Sequence, residues 1–568
     1  MERSRRWVAM GAIVVVTVAG FSVGSTPARA AGRFEYRPEP GRPVLSGPAD
    51  PSFLRDGQGV VAAAGTSIAA APGRSDDVQV NGDNKVDSSD QFGNGQGLPA
   101  NETAIAINPT NPKNVIGGAN DYEPGVDSVM GIYASFDGGY TWPYSRHARQ
   151  VITPDRSMLA SGDPVVAFDG DGVAYASFIA FGRNNCDSYI AVIRSLDEGV
   201  TWSVPVDSES AGTGLVVGDG IAAHNGGPDD CQIFHDKEWM AAGPRPAGAA
   251  VVAGTDPSHL SRHRLYVTWT RFDFGPAGDT YVESPIYLTY SDDQGRHWSK
   301  PQEISGRSAD CAFQYGDLDG QACDEDQFST VVVDPTNGTV YVAFENFNTA
   351  GNNQYLIVKS ANGGATWSRP VKITEVVDIN YPVCEGRSTL DHMCARVNAG
   401  GNIDLDARTG ALYLAWSDNR NGSAEDTNND VFVARSSDGG AVWTAPIPVT
   451  SGSVDDQFFP WLSVAPSGTV AVAYFDRQYT PPKMIDTSLS VSTNEGNAWT
   501  TRRVSEVSWN PDLAFRLGVF IGDYNGLDTR NGAALPFWTD ARFAEPNVEG
   551  NNPPHQQSDV MTDVESLP

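Results

Sequence analysis

From Asp77 onward, apolar residues alternate with polar ones over short runs, and each run ends in a cluster of Gly, Pro, Asn or Asp. Period-two alternation between turn signals predicts half-buried β-strands, not helices. The runs come in fours. Ser329 to Asp334 and Thr339 to Glu345 form one pair, Asn402 to Asp406 and Ala411 to Ser417 another, each joined by a tight turn. A third run follows, as in Tyr355 to Lys359 or Asp430 to Arg435, and a fourth as in Val371 to Thr374. The order A-B-C-D is that of an antiparallel meander.

Between the third and fourth runs stands one motif, Ser-x-Asp/Asn-x-Gly-x-x-Trp, which occurs six times: Ser135 to Trp142, Ser195 to Trp202, Ser291 to Trp298, Ser360 to Trp367, Ser436 to Trp443 and Ser492 to Trp499. Asn362 and Asn494 take the Asp place in two copies. Asp or Asn can bond the amides of its own turn, Gly permits a positive φ and Trp covers the neighbouring hairpin. Successive tryptophans lie 56 to 96 residues apart, a loose period suited to four-stranded blades with variable loops. After the last copy, Val519 to Asp523, Ala534 to Asp540 and Asp559 to Asp563 read as strands A, B and C of a further blade, with Val78 to Asn81 as its missing D strand. That closure removes exposed sheet edges. The expectation is an all-β, seven-bladed β-propeller, with six blades as the alternative.

Composition changes this picture only at the ends and in the choice of partner. Arg3, Arg5 and Arg6, the apolar run Val8 to Val23 and Ala28-Arg29-Ala30 read as a signal peptide over residues 1–30, and so as an exported, extracellular protein. Residues 31–76 read as an Ala/Gly/Pro-rich flexible leader, and 77–568 as one propeller domain. No later stretch is apolar enough to span a bilayer. A net charge of −31 argues against nucleic acid as a partner. Six cysteines form an even set suited to disulfides. Cys311 with Cys323 and Cys384 with Cys394 are close in sequence, Cys186 and Cys231 remain, and other connectivities stay open.

In such a meander the A–B turns and the Trp motifs share one face, and the B–C and D–A loops share the other. The long loops 203–234, 300–326, 375–398 and 420–429, and all six cysteines, fall on the second face, where binding or catalysis is expected. B strands end there in Asn120-Asp121-Tyr122, Trp269-Thr270-Arg271, Trp416 to Arg420, Tyr474 to Arg477 and Trp538 to Arg542. A strands begin there with Glu102, Asp163, Asp236-Lys237-Glu238, Asp326 and Asp523-Tyr524. Together they make a ring of carboxylates, arginines and aromatics. The acidic runs Asp317-Leu318-Asp319-Gly320, Asp324-Glu325-Asp326 and Glu425-Asp426 with Asp430 concentrate oxygen ligands, but Phe328 stands where a calcium loop begun at Asp317 needs its Glu, so no cofactor is expected beyond a structural calcium ion.

Over roughly residues 100–565 the chain resembles the sialidase superfamily of Asp-box (BNR-repeat) propellers. The likeness is strongest in Leu414 to Arg420, the acidic loop with Asp426 and Asp430, and Arg435-Ser436 to Trp443. The family's Arg-Ile-Pro signature is absent, and Gly400-Gly401 occupies the aligned place in this blade. The resemblance implies a glycoside hydrolase acting on a terminal sugar at the axial pocket, with Tyr524 as nucleophile, Asp163 and Glu238 as acid/base groups, and Arg271, Arg420, Arg477, Arg542 and Asp121 binding substrate. A non-catalytic glycan- or protein-binding propeller, or a polysaccharide hydrolase or lyase, stays open as the alternative, and a monomer is expected.

Overall fold

A computed structural model describes residues 45, 77–81, 99–122, 128–148, 160–183, 185–205, 220–227, 229–312, 321–423, 426–450, 452, 455–480, 482–544 and 558–568. The expected signal peptide and, apart from Leu45, the leader lie outside them, as do Asp317 to Gly320 and Glu425. The described strands build seven antiparallel blades and one two-stranded ribbon, Val383–Cys384 with Arg387–Ser388. Blade 1 holds Ala100–Ile107, Val115–Tyr122, Ser128–Ser135 and Tyr144–His147 as strands A to D. Blade 2 holds Ala160–Phe168, Ala174–Phe181, Ser188–Ser195 and Ile221–His224, and blade 3 Ile233–Pro244, His263–Asp273, Ile286–Ser291 and Gln302–Glu303. Blade 4 is Asp326–Val333, Val340–Asn346, Asn353–Ser360 and Val371–Val376, and blade 5 Asn402–Asp406, Ala411–Asp418, Asp430–Ser436 and Ile447–Pro448. Blade 6 is Gln457–Val464, Val470–Asp476, Asp486–Ser492 and Thr500–Arg503.

Blade 7 closes the ring as the sequence pattern predicts. Its B and C strands, Ala533–Asp540 and Asp559–Thr562, pair with each other, and Val78–Gln79 adds the outer strand with Val78 opposite Thr562. Glu565–Ser566 extends the sheet beside Ala533 and Ala534. One expectation needs correction: strand A is Gly526–Arg530, not Val519 to Asp523. The latter stretch leaves the helical turn Phe515–Gly518 and passes so close to blade 1 that a Cβ on Gly522, whose φ is 97°, would sit 2.9 Å from the Glu102 amide nitrogen. Only glycine fits there, and the chain packs against blade 1 instead of pairing as a strand.

The A strands of adjacent blades contact one another all the way round, so they line the axis. Seven hydrophobic clusters, one between each pair of neighbouring blades, form the core. Large side chains such as Trp269, Trp416 and Trp538 are wholly buried in them. Three disulfides, Cys186–Cys231, Cys311–Cys323 and Cys384–Cys394, staple the loops. Among the described residues no helix is long and apolar enough to cross a membrane.

The six repeated turns share one hydrogen-bond plan. The Ser hydroxyl donates to the Asp or Asn side chain and accepts the amide of the motif Gly at 2.8–3.0 Å. That Gly sits at φ 81–101°, where an L side chain is strained. In four copies the Trp indole closes the turn on the Gly carbonyl. Ser291→Ala removes an acceptor from the buried Gly295 amide and a donor from Asp293. We expect a loss of about 1–2 kcal/mol in a denaturant melt, with the fold retained.

Buried carboxyls set the pH profile of stability. Burial pushes Asp378, Asp404 and Glu283 up to about 7 and Asp528 up to about 6. Their folded pKa values lie above those of the unfolded chain, so their contribution is full below about pH 4 and is lost progressively as pH rises towards their folded values of about 6 to 7. Asp438 in a motif turn goes the other way: the Val442 amide and the Ser436 hydroxyl hold it below its usual value, so its contribution is lost in acid. The melting temperature should peak near pH 5, about a unit above ordinary carboxylate values, and fall towards pH 8. A rise between pH 6 and 8 in a calorimetric series would contradict this.

Candidate functional site at the propeller axis

In five blades the A strand breaks register near its start, between Asn101 and Ala104, Gly162 and Val165, Asp236 and Trp239, Gln327 and Thr330, and Phe458 and Trp461. Each break holds one left-handed residue: Glu102, Asp163, Lys237, Phe328 and Phe459, with φ between 49° and 56°. A bulge of this kind re-aims its side chain, and the left-handed conformation costs each L residue roughly 1–2 kcal/mol. Blade 5 has no such bulge. A Cβ on its Gly401 would meet the Ala415 carbonyl oxygen at 1.9 Å. The device thus puts two acids and a lysine on the axis from blades 1 to 3, and phenylalanines from blades 4 and 6.

These groups meet. The Asn120 carboxamide donates to the Glu102 carboxylate and accepts the Asp163 amide at 2.8 Å, tying blade 1 to blade 2. Ser177 donates to Glu238 Oε1 at 3.1 Å. The Lys237 ammonium lies 3.7 Å from the Tyr524 ring centre and 4.9 Å from that of Trp239. Trp239 reaches across the axis to Trp461, ring centres 4.5 Å apart, and both flank Tyr524. Trp239, Trp461 and Tyr524 thus form one aromatic cluster at the axis. Glu102, Asp163, Glu238, Asp523, Lys237 and Tyr524 are all buried. The protonated Glu102 carboxyl hydrogen-bonds to Asp163, but Glu238 Oε2, Lys237 Nζ and the Tyr524 hydroxyl find no hydrogen-bond partner among the described residues. Three unsatisfied polar atoms at one point are costly unless a ligand or water completes them.

Electrostatics follow from that crowding. Burial, and next the Asp163 charge, push the Glu102 and Glu238 carboxyls well above the ordinary range. Burial lowers Lys237, against the pull of Asp163, Glu238, Glu102 and Asp523. Burial and the same carboxylates raise the Tyr524 phenol, so it rests neutral. The arrangement offers two protonated carboxyls beside Asp163, which suits proton donation to a leaving oxygen.

Arg396, which the strand pattern did not single out, covers this cluster. It grips both oxygens of Asp523, through Nε at 2.8 Å and through Nη2, and gives Nη1 to the Leu45 carbonyl at 2.8 Å. Its arm, residues 377–399, is braced by the Cys384–Cys394 disulfide and by Arg477, which donates to the Asp391 carbonyl at 2.7 Å.

The sequence-predicted residues thus divide. Tyr524, Asp163 and Glu238 come together. The four arginines and Asp121 do not join them. Arg420 bonds Asp418 at 2.8 Å and lies over the Phe432 ring, Arg542 joins Asp540 and Asp77 at 2.6 Å each, Arg477 pairs with Asp456 at 2.8 Å, and Arg271 stands 3.9 Å from Asp273. Asp121 meets His147 at 3.0 Å on the D strand of blade 1. The physical reason is local: Asp418 and Asp540 end their B strands, and Arg420 and Arg542, two residues on in the following turns, fold back onto them. No arginine cluster able to hold a carboxylate forms among these four.

Of the acidic runs weighed for calcium, Asp326 accepts from Asn346 at 2.7 Å and Asp430 from Thr450 at 2.9 Å and Asn421 at 2.7 Å. Asp169, Asp171 and His263 bring ligand atoms within 4.8 Å of one another on the opposite face. Arg262 and His263 already pair with Asp171, and Asp169 accepts the Asp171 and Val173 amides on Oδ1 and the Tyr175 hydroxyl on Oδ2.

No family model matches the chain. A curated xyloglucanase from a Paenibacillus species is 26% identical over 413 residues, which is 71% of this chain and 30% of the relative. The chain thus spans under a third of that protein's length. Among solved structures, the Trypanosoma rangeli sialidase aligns at 12% identity over 83% of this chain and 55% of its own, TM-score 0.37. A polysaccharide lyase described as an ulvan lyase aligns at 10% identity over 81% and 93%, TM-score 0.42. An α-L-arabinofuranosidase of Fusarium graminearum aligns at 12% identity over 76% and 99%, TM-score 0.36.

Proposed function

We propose that the chain is a carbohydrate-active enzyme, a glycoside hydrolase whose site is the axial chamber on the long-loop face. The observation that carries this is the meeting of Glu102, Asp163 and Glu238, two of them protonated by burial, beside an aromatic cluster, with polar atoms left unsatisfied. Glu238, held through Oε1 by Ser177, gives its proton to the glycosidic oxygen from Oε2. The Asp163 carboxylate supports the developing positive charge or receives the sugar carbon. Tyr524 donates a hydrogen bond; as a nucleophile it would first have to pass its proton to one of the carboxylates. The xyloglucanase relative supports a glycan as substrate, and three disulfides support an oxidising, extracellular location. Sialidase specificity loses its main support, because the strand-end arginines are held by their own aspartates. The test is release of reducing sugar from a panel of polysaccharides and aryl glycosides by the purified chain. Turnover that survives Asp163→Asn unchanged would reject this site.

A further inference from the structure

We propose that the axial chamber is built for an uncharged sugar and discriminates against acidic ones. The inference rests on the reading that the chamber takes a glycan, and it names the class. Four carboxyl side chains, Glu102, Asp163, Glu238 and Asp523, face two cations there, Lys237 and Arg396. Arg396 has the fork that would pair with a sugar carboxylate, but Nε and Nη2 hold Asp523 and Nη1 holds the Leu45 carbonyl. Lys237 is a single ammonium resting on the Tyr524 ring, with Asp163, Glu238 and Glu102 around it. With Glu102 and Glu238 protonated, Asp163 balances Lys237 and Asp523 balances Arg396, so an added buried carboxylate finds no free counter-charge and no free guanidinium. The net charge of −31 opposes its approach from a distance as well. An amino sugar meets the opposite obstacle in Lys237. What the axis offers unpaired is hydrogen bonding without spare charge: Glu238 Oε2, the Tyr524 hydroxyl and Lys237 Nζ, whose charge Asp163 balances, beside the Trp239 and Trp461 rings. A few convergent polar groups beside an aromatic cluster suit the hydroxyls and apolar face of an uncharged pyranose.

The experiment is equilibrium binding to the whole protein of two matched pairs, a cello-oligosaccharide against its C6-oxidised uronate and lactose against sialyllactose, with a chitosan oligosaccharide as the amine. The neutral member of at least one pair should bind at least about tenfold more tightly than its acidic partner and than the amine, a difference of about 1.4 kcal/mol. Asp163→Asn, checked for an unchanged melt, should narrow the neutral-to-acidic ratio several-fold. Equal or tighter binding of the acidic members or of the amine overturns the inference while leaving the glycan reading in place, and so does a ratio untouched by Asp163→Asn. Absence of binding by every sugar overturns both.

Discussion

Replacing Glu238 by glutamine is expected to lower kcat on a glycan substrate by about 10²–10⁴-fold while changing KM little. The carboxyl is buried, raised in pKa by its surroundings and fixed through one oxygen, which is what a general acid at neutral pH needs. Glutamine keeps the shape and the Ser177 contact but has no proton of suitable acidity to give. The pH profile supplies a second readout. Because the acid must be protonated, activity should decline as pH rises through its elevated pKa. That alkaline limb should vanish from the residual activity of the variant. A merely structural role would instead lower the melting temperature and leave the limb in place. Retention of wild-type kcat would remove Glu238 from the chemistry.

Arg264→Ala is expected to cost about 3–5 kcal/mol of stability, among the largest effects of any single substitution on the Trp-motif face. The side chain is 1% exposed. It bonds both oxygens of Asp292 at 2.8 Å, the Ala250 carbonyl at 2.7 Å and, across the blade boundary, the Gly363 carbonyl of the next repeated turn at 2.7 Å. Its guanidinium also covers the Tyr290 ring at 4.1 Å. Removing it leaves the buried Asp292 charge without its partner and separates blades 3 and 4. Two comparisons make the cause readable in denaturant melts. Arg264→Met combined with Asp292→Leu should recover much of the loss, since no lone charge remains. Arg262→Ala, at a neighbouring arginine with a side chain 73% exposed, should stay within about 1 kcal/mol of wild type. Equal effects at Arg262 and Arg264 would contradict the assignment.

Much of the architecture is legible in the amino-acid order because it is written in local chemistry. The Ser, Asp or Asn, Gly and Trp of each turn satisfy one another within eight residues, so six copies declare six blades. The terminal strand pairing is legible too, since Val78 and Gln79 alternate like an outer strand and blade 7 lacks one. The A strand of that blade was misplaced because Val519 to Asp523 is apolar for another reason: it packs against blade 1, with Phe520 beside Tyr122, and Gly522 is the mark of that close approach. At the site, the starts of the A strands point to Glu102, Asp163, Lys237 and Glu238, since these strands begin at the same rim, and Tyr524 joins them from the stretch before Gly526–Arg530. The bulge that aims them has no sequence signature, because Glu, Asp, Lys and Phe all occupy it. The arginines mislead because the repeated strand end that carries them also seats each beside an aspartate. Arg396 escapes notice because it sits in an irregular, disulfide-braced arm whose path no periodicity describes.

The central claim is that the axis, not the outer rim, holds substrate. A crystal structure of the Glu238→Gln protein soaked with a bound neutral oligosaccharide tests it most directly. The account predicts a sugar ring over Trp239 and Trp461, its glycosidic oxygen within hydrogen-bond reach of residue 238. A sugar seated among the outer loops or on the Trp-motif face, with the axial carboxyls left empty, would contradict it.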